Sequence, residues 1–199
     1  DRSARVTELV ERVLARIDQV SALDEDRMLR QFVSVMQATV RTNFYRLDED
    51  PLPSGTPRPG RGALAFKIEP GELDFIRSAQ PRSEIFVYSP QVEGVHLRFG
   101  KVARGGIRWS DRAEDYRTEV LDLVKAQTVK NAIIVPVGAK GGFYAKRLAG
   151  LDAEARAAEG RACYASLVKA MLSLTDTIVD GEPVRPDRVV AWDDPDPYL

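Results

Sequence analysis

The chain has 199 residues, 44% of them hydrophobic, with 29 lysines and arginines set against 30 aspartates and glutamates. That length supports one folded domain with a real core, and a net charge of −1 gives no electrostatic reason to expect nucleic acid or a membrane as partner. A single cysteine, Cys163, excludes an internal disulfide and a cysteine-based zinc site, which fits a cytoplasmic location.

In chain order, the first pattern is helical. Val6, Leu9, Val10, Val13, Leu14 and Ile17 share one face over residues 4–20, with Glu8, Glu11, Arg12 and Arg16 opposite. The charged start "DRSARVTELVERV" and the lack of any long apolar run predict neither a signal peptide nor a membrane anchor. A second helix is expected from Asp24, as N-cap, with a stripe of Met28, Leu29, Phe32, Val33, Met36 and Val40. The two form an expected antiparallel pair, a helical segment over residues 1–50. Residues 51–62 read as a linker, because Pro51, Pro53, Pro57 and Pro59 exclude regular structure there.

From residue 63 the period changes to two. "ALAFKI" (63–68), "EIFVYS" (84–89) and "GVHLRFGKV" (94–102) are predicted strands, the last two forming a hairpin. The alternation places His96, the sole histidine, on an outward position. "RGGIRWS" (104–110) reads as a glycine-bearing loop, and Asp111 with Glu114 as a capping-box start to a helix reaching Lys130. "NAIIVPV" then reads as a buried strand that ends in the glycine run "GAKGG". A helix over about 152–178 and a strand "RVVAW" at 188–192 follow, and the aspartates of "DDPDPYL" read as turn residues. The expectation is an α/β domain over 63–199, a mixed sheet with flanking helices preceded by the helical pair.

The chemistry concentrates in two basic loops. "ARGGIRWS" and "VPVGAKGGF" each set a cation beside paired glycines, and Arg104, Arg108, Lys130 and Lys140 can gather at one end of the sheet. Gln127 and Lys130, three apart, share a helix face. Several cations beside bare backbone suit a small dianion. A lysine crowded by like charge and partly buried is pushed toward its neutral form, the state a general base needs, and Lys140 is the best-placed candidate. A surface lysine in a tight turn is the alternative. The glycines follow Lys140 rather than precede it, so the run is no P-loop. No Gly-x-Gly-x-x-Gly turn and no metal-ligand spacing occur, and "RGG" alone is weak evidence for RNA.

The motifs "GVHLR", "KVARGGIRWSDR", "TEVLDLVKAQ" and "KNAIIVPVGAKGGF" together closely resemble the catalytic region of the large bacterial NAD-specific glutamate dehydrogenases. "LDEDRMLRQFVSVMQATVRTNFY" resembles the segment that precedes it. The resemblance implies oxidative deamination of L-glutamate to 2-oxoglutarate and ammonia, with hydride passing to NAD. It implies that Lys140 is the catalytic lysine, that Lys130 holds the α-carboxylate with Gln127 alongside, and that Arg104 meets the distal carboxylate. The family has a lysine at that last position; arginine binds a carboxylate bidentately and so changes the contact geometry. The spacing from Lys130 to Lys140 is also slightly shorter than in the small hexameric enzymes. Residues 63–199 are thus expected to be the glutamate-binding part of a catalytic domain truncated before its Rossmann domain. On that expectation NAD binds a domain absent from this chain, a proton-shuttling aspartate falls beyond Leu199, the chain alone is inactive, and the parent is a homo-oligomer. A non-redox module that binds a dicarboxylate or phosphate is the competing reading.

Overall fold

The structure, a computed structural model, describes residues 1–46, 62–73, 75, 80–130 and 137–198, apart from the side chains of Arg2, Thr128 and Lys130. The expected strand "NAIIVPV" and the expected proline-rich linker lie outside the described residues, except for Val137 and Gly62.

Helix α1 (Arg2–Ile17) is capped by Asp1, whose carboxylate accepts the Ser3 N–H at 3.0 Å. Helix α2 (Leu23–Ala38) packs antiparallel to it: Val6 and Val10 lie with Val33 and Met36, while Ile17 and Val20 lie with Leu29. Arg30 ties the two by bonding both Asp26 and Asp18. The cap of α2 is Ala22, without a side-chain bond; Asp24 sits inside the first turn, where a negative charge favours the helix dipole.

Helix α2 stops at Ala38, and Thr39–Thr42 forms a strand, β1, where the sequence reading continued the helix. Its β-branched residues suit an extended chain, and pairing with distant strands outweighs the helical spacing of Val40. The other strands of the main sheet are β2 (Leu64–Ile68), β3 (Ser83–Tyr88), β4 (Val92–Arg98), β5 (Ile107–Ser110), β6 (Ala139–Ala145) and β9 (Val190–Ala191). Their order is β5-β6-β4-β3-β2-β1-β9, antiparallel throughout except for the β5–β6 pair. A separate hairpin joins β7 (Thr177–Val179) to β8 (Glu182–Val184).

Helix α3 (Tyr116–Lys130) covers one face of the sheet and helix α4 (Ala153–Leu172) the other. Tyr116, Val120, Leu121 and Val124 of α3 pack on Val95 and Leu97. Cys163, Leu167, Ala170 and Met171 of α4 pack on Ala65, Val87, Val92 and Phe143. A strand sandwiched this way has no outward side, so His96 is buried rather than exposed. Burial, helped by the nearby Arg98 charge, lowers its pKa to about 4.

Three further local expectations change. Helix α3 begins at Tyr116 without the expected capping box, because the Ser110 hydroxyl accepts the Arg112 N–H at 3.1 Å. The "RGGIRWS" stretch is loop only through Gly106 and then becomes β5. Helix α4 starts at the Asp152 cap, as the sequence suggests, but ends at Leu172.

Candidate functional site

The run "AKGG" is strand, not turn. Ala139–Ala145 lies between β4 and β5, and its glycines serve close packing. A Cβ on Gly142 would lie 2.3 Å from Val120 Cγ2, so α3 presses directly on the backbone of β6. Gly141 pairs with His96 and lies against Ile107. Gly142 thus lets α3 settle onto the strand that carries Lys140, while Gly141 leaves room for Ile107 and His96 on the other face.

Lys140 pairs with Leu97, whose side chain lies in the core beneath α3, so it projects from the same sheet face as that helix. It is half-buried, and among the described residues it has no ion pair and no hydrogen-bond partner for its ammonium. On its other side the parallel register with β5 puts Gly106 one residue before the Ile107–Gly141 pair, with Gly141 N–H donating to the Gly106 carbonyl at 3.0 Å. A Cβ on Gly106 would have no heavy atom within 4 Å, so open space adjoins the lysine. Gly105, by contrast, passes so close to the Ala139 carbonyl that no side chain fits.

Arg104 forms a parallel bridge with Gly138, two residues before Lys140. Its guanidinium is exposed and makes no ion pair among the described residues. Gln127, in the last turn of α3, lies over Gly138, and its Nε2 donates to the Arg104 carbonyl at 3.0 Å. Three of the five residues singled out in the sequence, Arg104, Gln127 and Lys140, therefore come together at one end of the sheet. Lys130 is the final residue of α3, three beyond Gln127, and its side chain lies outside the described residues. Arg108 does not join them: its Nε pairs with Glu119 at 2.5 Å, and Glu119 also accepts the Ser110 hydroxyl.

The opposite sheet face carries a charged cluster that sequence reasoning missed. Arg41 bonds Asp176 and Asp193, Lys67 bonds Asp193 and Asp196 at 2.5 Å each, and Arg98 pairs with Asp196. Asp193 and Asp194 do form a bend, but the nearly buried Asp193 and the buried Asp196 serve as counter-ions. Burial pushes the Asp196 carboxyl up, yet Arg98 and Lys67 outweigh it and hold the group at about 2. A cavity of about 70 Å³ opens beside this network, bordered by Arg82, Ser83 and Lys101. The only sequence signal was a set of aspartates at the chain's end, with nothing to say which cations they meet.

A family model described as the catalytic domain of bacterial NAD-glutamate dehydrogenase matches residues 12–199. The chain belongs to that family. Its glutamate dehydrogenase relatives include the NAD-specific enzyme of Halomonas elongata, 52% identical over 98% of this chain, and that of Pseudomonas aeruginosa, 49% identical over 100% of it. The NAD-specific glutamate dehydrogenase of Mycobacterium tuberculosis is 50% identical over 94% of the chain. This member of the family spans 12% of the length of each of those three relatives.

Proposed function

We propose that this chain is part of an NAD-specific glutamate dehydrogenase and carries the portion of the site that grips L-glutamate and 2-oxoglutarate. The observation behind this reading is a half-buried lysine without a counter-ion among the described residues, set in a strand beside open glycine backbone and next to the Arg104 loop. Buried cations are ordinarily paired, so an unpaired one beside open backbone is a candidate for binding or chemistry.

In this proposal Arg104 and Lys130 each take one carboxylate of the five-carbon diacid. Lys140 works at the α-carbon: its neutral amine accepts the proton of the water that adds to the iminium, and its ammonium returns a proton as ammonia leaves. The described residues do not fit NAD. The one parallel β–α–β unit among them, β5–α3–β6, enters its helix through "DRAED", which has no glycine and sets Asp111, Glu114 and Asp115 where a pyrophosphate needs bare N–H groups. Hydride acceptance is therefore assigned to other parts of the parent, and the chain alone is proposed to lack turnover. Its single cysteine is in keeping with a cytoplasmic parent.

The test is Lys140→Met in the full-length parent, followed by glutamate-dependent NADH formation. We expect kcat to fall by roughly 10² to 10⁴ with a much smaller change in KM. An unchanged rate removes Lys140 from the mechanism.

A further inference from the structure

Strand β5 lies at the edge of the main sheet and pairs only with β6, so its tilt depends on the side chains that anchor it. On the α3 side Arg108 and Ser110 both reach Glu119. On the α4 side Trp109 stacks on Phe143, with ring centroids 6.1 Å apart and planes 12° from parallel. The six-membered ring of the same indole rests on Gly160 of α4. A Cβ at that glycine would fall 2.3 Å from Cζ3, 2.5 Å from Cη2 and 2.9 Å from Cε3.

Gly160 sits in the middle of an alanine-rich helix, "AEARAAEGRACYA", where glycine is a poor helix former and alanine the best. The indole is what the missing methyl makes room for. Trp109 nonetheless stays 42% exposed, so the contact is an anchor on the strand rather than filling for the core.

We propose that Trp109 is a positioning residue: its indole, seated on Gly160, sets the tilt of β5 and thereby the place of the Arg104 loop beside Lys140. This inference rests on the glutamate-binding reading above and adds to it a residue that touches no substrate. Arg104 lies three residues before β5, and the Gly106 carbonyl between them accepts the Gly141 N–H at 3.0 Å as the first rung of the same ladder. A change in tilt therefore reaches the arginine. Lys140 is placed independently, because β6 is also paired with β4 along its whole length and α3 presses on its Gly142. Disturbing the seat should weaken the grip on the distal carboxylate and spare the chemistry.

The experiment uses the full-length parent with Trp109→Ala, Gly160→Ala, Trp109→Phe and the double variant Trp109→Phe/Gly160→Ala. Kinetics with glutamate are read beside amide hydrogen exchange over residues 103–107. Phenylalanine lacks the outer ring that a methyl at position 160 would strike, so the double variant restores the fit that Gly160→Ala destroys.

Trp109→Ala and Gly160→Ala are each expected to raise KM for glutamate roughly 10-fold, the scale of a weakened charge-assisted contact, with kcat changed far less. Exchange over 103–107 should quicken while peptides of β4 stay protected. The double variant should recover most of what Gly160→Ala loses, in KM and in exchange. Should Trp109→Ala fail to fold, Gly160→Ala and its rescue carry the test alone. A fall in kcat with KM kept would overturn the proposal, as would a lowered unfolding midpoint with KM and exchange unchanged, or losses that multiply in the double variant. If Arg104→Met left KM for glutamate unaltered, the substrate reading would fail, yet exchange over 103–107 would still decide whether the seat holds the loop.

Discussion

The two faces of the sheet treat their cations in opposite ways. Beneath α4, Arg41, Lys67 and Arg98 are buried and each is spent on aspartates. Beneath α3, Lys140 and Arg104 have no counter-ion among the described residues, although Arg108 beside them does. Desolvating a charge is costly unless a partner offsets it, so the first set reads as architecture; Lys140 is only half-buried and Arg104 exposed, which leaves both open to the ligand of the proposed site. The paired set joins β1, β2 and β4 to the end of α4 and the 193–196 segment, positions far apart in the chain. The unpaired set sits where glycine backbone leaves room.

That contrast can be broken by substitution. Arg41→Met should be the most damaging change, since it strands the buried Asp176 carboxylate; we expect a loss of about 3–5 kcal/mol in urea unfolding. Gly142→Ala comes next, because its Cβ meets Val120 at 2.3 Å; overpacking of this kind costs about 1–3 kcal/mol, read from the same transitions. Lys140→Met should scarcely move the unfolding midpoint, staying within about 0.5 kcal/mol. If Lys140→Met destabilised the fold as much as Arg41→Met, the division into paired and unpaired sets would fall.

Acid sharpens the same comparison. His96 is held neutral in the folded state, its pKa lowered to about 4 by burial and by Arg98. A histidine whose folded pKa lies below its unfolded value contributes its full stability above about 6.5 and loses it as pH falls toward 4. Asp196, held at about 2, contributes above its unfolded value and loses that contribution only below it. The urea midpoint should therefore decline in two limbs, and His96→Leu should remove the upper limb while the lower one persists. A single decline confined below pH 4 in the unsubstituted protein would show that His96 is not sealed in.

Much of the sheet was legible because β2, β3 and β4 are short runs rich in β-branched and aromatic residues, and the hairpin between the last two is local. Helices α1 and α2 announced themselves by the spacing of their apolar residues. Arg104, Gln127 and Lys140 lie near one another because a loop, a helix and a strand carry them in succession, although the sequence read the lysine's stretch as a loop. What the sequence hid was set by distant partners. Thr39–Thr42 carries on the apolar spacing of α2, and only pairing with β2 and β9 makes it a strand. The glycines at 141 and 142 weaken strand propensity, and only the close seat of Val120 and the neighbours in β4 and β5 keep them extended. Likewise, the counter-ions of Arg41 lie more than 130 residues away, beyond the reach of any local pattern.

The central claim is that one cleft at the β5–β6 end of the sheet receives the substrate. A crystal structure of the full-length parent with 2-oxoglutarate tests it most directly. The account predicts one carboxylate on the Arg104 guanidinium, the other on the Lys130 ammonium, and the keto carbon beside Lys140, each polar contact within about 3.2 Å. Density for the ligand elsewhere, with Lys140 facing only water, would contradict it.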